Sequence, residues 1–336
     1  MNILIIGLGS IGQRHLRNLS KLKFPKKIFV LRKKFQTPTL DNNLRIIKQN
    51  IKIKHNLTYI SSLKNISKLK IDFAIICTPT SQHIEQSIEL LKNKINILVE
   101  KPIGSNLKKI NKLQKILLKR KEIKTMMGYQ LKFNPIINKI DYFLKKKSIG
   151  NIYSVESRNG ENLKTFHPYE NFKTSYASQK KLGGGVVLTQ SHDLDILMYL
   201  FKDYKIKKIK SINEKVTDFK IDVEDISMSI LEFRKKRNKK FLCKLFLNYF
   251  EKPPSREINI IGSKGKICAD LIRNTIQIFR KNNFKIYKYK FKKNDIFIKE
   301  LKYFINCVKK NKQVDEYMNL KQGIEVLKYS LKILKN

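Results

Sequence analysis

Two residues in this chain of 336 are of a kind, and in a setting, that can move a proton at a carbon–oxygen bond: Lys101 and His192. Lys101 closes the run Asn96-Ile97-Leu98-Val99-Glu100-Lys101-Pro102-Ile103-Gly104. A residue before proline is pushed out of the helical region, so Lys101 is expected to stay extended at the carboxyl end of a buried strand. That end is where open α/β sheets bind ligands, although three residues alone read more readily as a solvated Lys–Glu pair at a surface strand end. His192 lies in GGGVVLTQSHDLD (183–195). The spacing predicts a helix fronted by Gly183-Gly184-Gly185, with His192 roughly one and a half turns in and Leu188, Thr189, Asp195 and Ile196 on its face. A lone helix histidine is more often structural than catalytic. An imidazole nevertheless titrates near neutrality, and an ammonium group can polarise the oxygen that the imidazole deprotonates.

The third chemical feature is Gly7, Gly9 and Gly12, a G-x-G-x-x-G set between an apolar strand, Asn2 to Ile6, and a helix reading from Ile11 to Leu22. The first glycine permits a tight turn, the second lets a pyrophosphate approach the backbone, and the third lets helix pack on strand. A second strand, Lys27 to Leu31, ends in Arg32-Lys33-Lys34, where NAD-specific folds usually carry an acid for the ribose 2′-hydroxyl. A guanidinium pairs instead with a 2′-phosphate, which favours NADP; NAD stays possible if Arg32 merely covers the adenine. Thr78-Pro79-Thr80-Ser81-Gln82-His83 follows the strand Ile71 to Cys77 and either faces the cofactor or is an ordinary capped helix start.

Strands at Leu57–Ile60, Ile71–Cys77, up to Glu100 and Lys124–Tyr129 alternate with helices at Gln82–Asn93 and Leu107–Lys119, which means a parallel sheet covered on both faces. After a helix from Phe133 to Lys147 strands dominate: Tyr153–Arg158, Lys205–Ile212, Ile226–Arg234, Phe241–Phe250, Ile258–Ile261, Thr275–Phe279 and Lys285–Tyr289, with GSKG (262–265) as a hairpin turn. Two closing helices carry the stripes Phe297, Leu301, Phe304, Ile305, Val308 and Leu320, Ile324, Leu327, Leu331, Leu334. The fold class is therefore α/β: an N-terminal doubly wound parallel sheet, residues 1–128, then an α+β domain with a large, mostly antiparallel open sheet, residues 129–336, whose C-terminal helices partly pack back on the first domain.

Composition bounds the partners. The net charge of +45 would ordinarily suggest nucleic acid. The lysines are spread along the whole chain, however, with no recognition motif or aromatic stacking array, so no specific nucleic-acid partner is expected. Cys77, Cys243, Cys268 and Cys307 lack C-x-x-C spacing, giving neither a metal site nor a disulfide framework but a reduced, cytoplasmic pattern. No apolar run approaches a membrane span, and Met1 to Leu8 lacks the marks of a signal peptide.

GLGSIGQRH (7–15), CTPTSQH (77–83), VEKPIG (99–104), GYQLKFNP (128–135) and GGGVVLTQSHDLD (183–195), in that order, resemble the glucose-fructose oxidoreductase, inositol dehydrogenase and MocA family. The resemblance implies a Rossmann domain, a second domain that often pairs across its open sheet in homo-oligomers, and NAD- or NADP-dependent oxidation or reduction of a sugar, cyclitol or nucleotide-sugar. HPYENFKTSYASQKKLGGG (167–185) looks like members from surface-carbohydrate pathways. Carried onto this chain, the cofactor would meet Gly7, Gly9, Ser10, Ile11, Gly12, Arg32, Lys33, Thr78, Pro79, Thr80, His83, Glu100, Lys101 and Gln130. The substrate would meet Lys101, Tyr176, Thr189 and His192. The family lysine falls on Lys101 and its histidine on His192, the latter expected as the main acid–base group and Lys101 as electrostatic anchor, or the reverse. Members commonly hold an acid three or four residues before the histidine; Thr189 and Leu188 stand there. The histidine's orientation must then come from Asp195 or the substrate, and a catalytically silent dinucleotide- or sugar-binding sensor is the alternative reading.

Overall fold

The computed structural model describes residues 1–32, 38–235, 239–281 and 283–336; Lys33, expected at the cofactor's ribose, lies outside the described residues. Uninterrupted apolar runs such as Leu4-Ile5-Ile6 and Phe73-Ala74-Ile75-Ile76 are buried on both faces, as parallel sheets require. The first half runs β1 (Asn2–Ile6), α1 (Ser10–Lys21), β2 (Lys27–Leu31), α2 (Ile51–Lys54), β3 (Leu57–Ile60), β4 (Phe73–Ile76), α3 (His83–Lys92), β5 (Asn96–Glu100), α4 (Ile110–Lys119) and β6 (Thr125–Gly128). These strands form one six-stranded parallel sheet in the order β3-β2-β1-β4-β5-β6. The order reverses at β1, so a crevice opens beyond the carboxyl ends of β1 and β4, between the glycine loop and Thr78.

The chain leaves through α5 (Pro135–Lys145), whose first turn is capped by the Asn134 side chain, and enters β7 (Ile152–Gly160). Next come α6 (Leu163–Phe166), three single 3-10 turns, α7 (Val186–Thr189) and α8 (His192–Leu200). The remaining strands are β8 (Lys205–Glu214), β9 (Ile226–Arg234), β10 (Lys240–Asn248), β11 (Ser255–Gly262), β12 (Gly265–Asp270), β13 (Thr275–Arg280) and β14 (Asn283–Lys288). With β7 they make an eight-stranded sheet in the order β14-β13-β12-β11-β7-β10-β9-β8, antiparallel except for β7 against β10. One face is buried, for example Leu231 and Phe233 of β9, while Met228 and Ile230 point to solvent. Two helices follow: α9 (Lys293–Lys309) lies on α1 and on the turn Gln130–Phe133, and α10 (Leu320–Ile333) lies on β6, α7, α8 and β8.

Two local departures from the sequence reading matter. The GSKG hairpin is present, but its second arm is a full strand, β12, whose Ile267 and Ala269 face inward; the short alternation in Lys266–Asp270 was too weak to mark it. The helix expected to carry His192 midway is broken at Gln190-Ser191, and His192 opens α8 instead. The Thr189 hydroxyl donates to the Gly185 carbonyl (2.7 Å), a side-chain bond of the kind that bends helices, and the Asp193 N–H bonds the Gln190 carbonyl (3.1 Å), bypassing that of Thr189.

A buried ion pair fixes α8 against the first half of the chain. Lys132 Nζ, in the turn after β6, donates to Asp195 Oδ1 at 2.7 Å, with both side chains 1% exposed. Burial raises the Asp195 carboxyl pKa while Lys132 pulls it down, so the pair stands only while both members are present. Lys132→Met should cost about 3–5 kcal/mol, the usual consequence of leaving one buried charge alone, and Lys132→Met with Asp195→Leu should regain most of it. Thermal unfolding followed by circular dichroism measures this; a double variant no more stable than the single one would refute it.

Candidate active site

Lys101 follows the last residue of β5, and the Lys101–Pro102 peptide is cis. Its ammonium group donates to the Thr189 carbonyl at 2.6 Å, the acceptor that the helix break leaves available. This bond joins the carboxyl end of the parallel sheet to the segment that leads into His192. Burial, with help from Arg256, lowers the Lys101 pKa to about 8, against the opposing pull of Glu100, Glu161 and Asp193. A lysine so placed is mostly charged at neutral pH and becomes a base just above it.

His192 is buried, and its ring stands edge-on to Tyr129 with centroids 5.4 Å apart. The Tyr129 hydroxyl donates to Ser191 Oγ at 3.4 Å. Burial, then the charges of Lys101, Arg256, Lys132 and Lys293, hold the imidazole pKa well below its ordinary value, so the ring is neutral at physiological pH. Asp195 is committed to Lys132 and does not orient the ring, which corrects one of the two sources expected from sequence. His192 Nδ1 has no hydrogen-bond partner among the described residues.

The crevice at β1 fits a dinucleotide. A Cβ on Gly12 would lie 2.1 Å from the Gly7 carbonyl, so helix and loop close on each other only with glycine there; a Cβ on Gly9 would meet nothing within 4 Å, leaving open space above the loop. The twelve-residue α1 has no side-chain cap at its start, which leaves the amides of Ile11 and Gly12 for an anion. The Tyr169 hydroxyl, from the segment after β7, bonds Ser10. Arg32 stands directly beyond β2, at the far end of the same crevice. Residues Gln130–Phe133 form the turn that follows β6, with Gln130 buried.

Other expected contacts are occupied inside the protein. His83 is buried with Nδ1 2.7 Å from the Pro102 carbonyl and Nε2 2.7 Å from that of Thr78, so it stitches the ends of β4 and β5 together instead of facing the crevice. The Thr78 hydroxyl donates to Gln86 Oε1 (2.6 Å), Pro79 precedes the 3-10 turn Thr80–Gln82, and Thr80 is buried against Gly183. Glu100 Oε1 lies 2.8 Å from His15 Nε2, joining β5 to α1. The Thr189 hydroxyl touches the Tyr249 hydroxyl as well as the Gly185 carbonyl, so Thr189 presents its carbonyl, not its side chain, to Lys101. Tyr176 is partly buried, its hydroxyl pKa raised by burial and by Glu100 and Glu170.

Sequence reasoning missed the groups supplied by the second sheet. Asp193, next to His192, accepts from Arg256 Nε (3.0 Å) and Nη2 (2.7 Å) and from Asn159 Nδ2 (2.9 Å). Asn159 and Arg256 are register partners on β7 and β11. Only strand pairing brings them together. Alternation along β7, with Ser157 and Asn159 buried, gave the available hint of the inward face.

Residues 1–129 match the oxidoreductase family, NAD-binding Rossmann fold, and residues 143–330 match the oxidoreductase family, C-terminal alpha/beta domain. A myo-inositol 2-dehydrogenase of Thermotoga maritima is 22% identical over 322 residues, covering 92% of this chain and 88% of that protein. A levoglucosan dehydrogenase in complex with NADH superposes with a TM-score of 0.81 at 16% identity, over 100% of this chain and 96% of that one. A UDP-N-acetylglucosamine 3-dehydrogenase from Acidithiobacillus ferrooxidans gives 0.75 at 16% identity, over 99% and 96%. With both halves matched, in order and in fold, the chain belongs to the glucose-fructose oxidoreductase, inositol dehydrogenase and MocA family of oxidoreductases.

Proposed function

We propose that this protein is an NADP-dependent dehydrogenase or ketoreductase acting on a CH–OH carbon of a sugar, cyclitol or nucleotide-linked sugar, in surface-carbohydrate metabolism and in the reducing cytoplasm. The observation that carries it is the Lys101 ammonium group, 2.6 Å from the Thr189 carbonyl, beside a neutral His192 at the end of a sheet whose glycine loop is open for a dinucleotide. Residues 1–128 would hold the cofactor and residues 129–336 the substrate. The bound cofactor supplies the hydride chemistry. Lys101, with its pKa about 8, is the better-matched group to exchange the hydroxyl proton, and the neutral His192 donates its ring N–H to the same oxygen. This exchanges the roles expected from the ordinary pKa values alone. A silent binding protein is the second reading, favoured by the unpartnered Nδ1 of His192.

Arg32 supports NADP, since a guanidinium can pair with a 2′-phosphate and cannot accept a bond from a 2′-hydroxyl. The outer face of the eight-stranded sheet supports a homodimer. Met228 sits between Ile212 and Phe246 across three strands, and Ile230 and Leu242 are also exposed, with Lys208 opposite Glu232 among them. A mixed apolar and charge-complementary face of this kind suits an isologous interface.

Three outcomes test these readings. Oxidation in the presence of a sugar panel should rise about tenfold per pH unit and level off near pH 8, as Lys101 loses its proton. Lys101→Met should abolish that limb and slow single-turnover hydride transfer at least about a hundredfold while still binding NADP; an unchanged rate removes Lys101 from the chemistry, and no transfer by the parent protein with any sugar favours the binding protein. NADPH should bind tens of times more tightly than NADH, the effect of one charge-assisted pair of about 1.5–3 kcal/mol, with Arg32→Asp reversing the order; equal affinities in a fluorescence titration reject it. Met228→Asp should convert a dimer to a monomer in light scattering, and a monomeric parent would dispose of the sheet-face interface.

A further inference from the structure

The hydrogen-bonding side chains around His192 in sequence are turned to other partners. The Thr189 hydroxyl donates to the Gly185 carbonyl (2.7 Å) and the Gln190 amide nitrogen to the Asn248 carbonyl (3.0 Å), while Asp193 accepts from Arg256 and Asn159 and Asp195 from Lys132. Among the described residues none of them hydrogen-bonds the imidazole. What the ring does touch is another ring. Tyr129, 2% exposed just after β6, stands against it with centroids 5.4 Å apart and planes at 76°. Tyr129 is in turn held at both its tip and its face: its hydroxyl donates to Ser191 Oγ (3.4 Å), on the residue before the histidine, and the Lys132 ammonium stands 5.2 Å from its ring centre. Since Asp195 of α8 grips the same Lys132, the tyrosine ring, the cation and the helix that carries His192 are one unit.

The two nitrogens of the imidazole differ. Nδ1 is sealed from solvent with no partner among the described residues, and Nε2 is not sealed in this way. A neutral imidazole carries one N–H and one lone pair. Placed on Nδ1, the proton would make a buried orphan donor, which proteins rarely hold. The face of the Tyr129 ring, which could stand in for an oxygen acceptor, already answers the Lys132 charge. Placed on Nε2, the proton stays available to water or to substrate. We propose that Tyr129 is the positioning residue of His192: its ring walls the imidazole in so that the single proton sits on Nε2 and is presented to the substrate oxygen, the task a neighbouring carboxylate would otherwise perform. This deepens the dehydrogenase reading and rests on it for the identity of that oxygen; the tautomer rests on the geometry alone.

Nitrogen-15 spectra of the histidine rings in the cofactor-free protein, with His192 assigned by its loss in His192→Asn, read the tautomer directly. The parent should show a neutral His192 with its proton on Nε2 at neutral pH. Tyr129→Leu, which removes the wall, should show a mixture of the two tautomers and slow single-turnover hydride transfer about tenfold or more, the scale of a misplaced reacting group, with NADP affinity within about twofold of the parent. Tyr129→Phe, which keeps the ring, should restore the parent spectrum and recover most of the rate lost in Tyr129→Leu. Should Tyr129→Leu fail to fold, Tyr129→Met takes its place, and the parent spectrum by itself still decides the tautomer. A proton on Nδ1, a charged ring, or the parent spectrum and rate in Tyr129→Leu would each overturn the proposal. So would Tyr129→Phe behaving like Tyr129→Leu, since the hydroxyl bond to Ser191 would then do the positioning. The Nε2 proton in the parent and its scrambling in Tyr129→Leu, without hydride transfer to or from any sugar, would leave the positioning standing and sink the dehydrogenase reading. Transfer by a parent that carries its proton on Nδ1 would do the opposite.

Discussion

The hydrogen bond from Lys101 to the Thr189 carbonyl is the contact on which the rest of the site depends. An ammonium group drawn out of water needs acceptors, and the interior of a regular helix offers none, because each carbonyl there is bonded to the amide four residues on. The break between α7 and α8 supplies one. The Thr189 side chain bends the chain by bonding backward to Gly185, the Asp193 amide turns to Gln190, and the Thr189 carbonyl is released toward β5. The same break makes His192 the first residue of α8 and places it against Tyr129. A straight helix, as the sequence pattern alone suggests, would close the Thr189 carbonyl into its own ladder and leave Lys101 to find solvent.

Around this contact the interior balances charge pair by pair. Lys132 with Asp195 and Arg256 with Asp193 sit on successive faces of α8, and His15 with Glu100 ties α1 to β5. Beyond Glu100, on α9, the Glu300 carboxyl is fully buried; burial and the Glu100 charge push its pKa well above the usual range, so it is held neutral. Pairs of this kind add little net stability over an apolar core but are costly to break singly. Their effect here is positional: each pair joins elements distant in sequence.

Legibility followed the range of the interaction. The strands Asn2–Ile6, Lys27–Leu31, Leu57–Ile60, Asn96–Glu100 and Ile226–Arg234 stand where their apolar runs or alternation placed them, since burial on one or both faces writes itself into neighbouring residues. The glycine loop and the Lys-Pro strand end were legible for the same local reason. Arg256, Asn159 and Glu161 were not, because nothing near them in sequence announces that β11 will pair with β7 opposite α8. Nor was the commitment of His83, Glu100 and the Thr189 hydroxyl to protein partners: a polar residue beside a crevice looks the same in sequence whether it faces the ligand or the wall. The charge balance of α8 was half visible in HDLD, but the cations that answer it lie about 60 residues away on either side.

The glycines show the same ambiguity in its sharpest form, since glycine means only that something comes close. At Gly9 an added Cβ would reach empty space at the mouth of the crevice, so the approach is reserved for a ligand. At Gly183 it would meet Thr80 and Ser105 below 3.0 Å, at Gly184 the carbonyls of Tyr176 and Ala177, and at Gly185 the carboxylate of Glu224, so there the approaching body is protein. Gly183 lets the segment leading into α7 settle on the residues just beyond β4 and β5, while Gly184 and Gly185 let that segment close on its own half of the chain. Glu224 then accepts from the Val187 amide (3.1 Å) at the start of α7. That seating fixes where α7 begins, hence where it breaks, hence which carbonyl Lys101 finds. A side chain at Gly183 would lift that segment away from Thr80 and Ser105, and the chemistry of the strand end would change through a residue that carries no chemistry of its own.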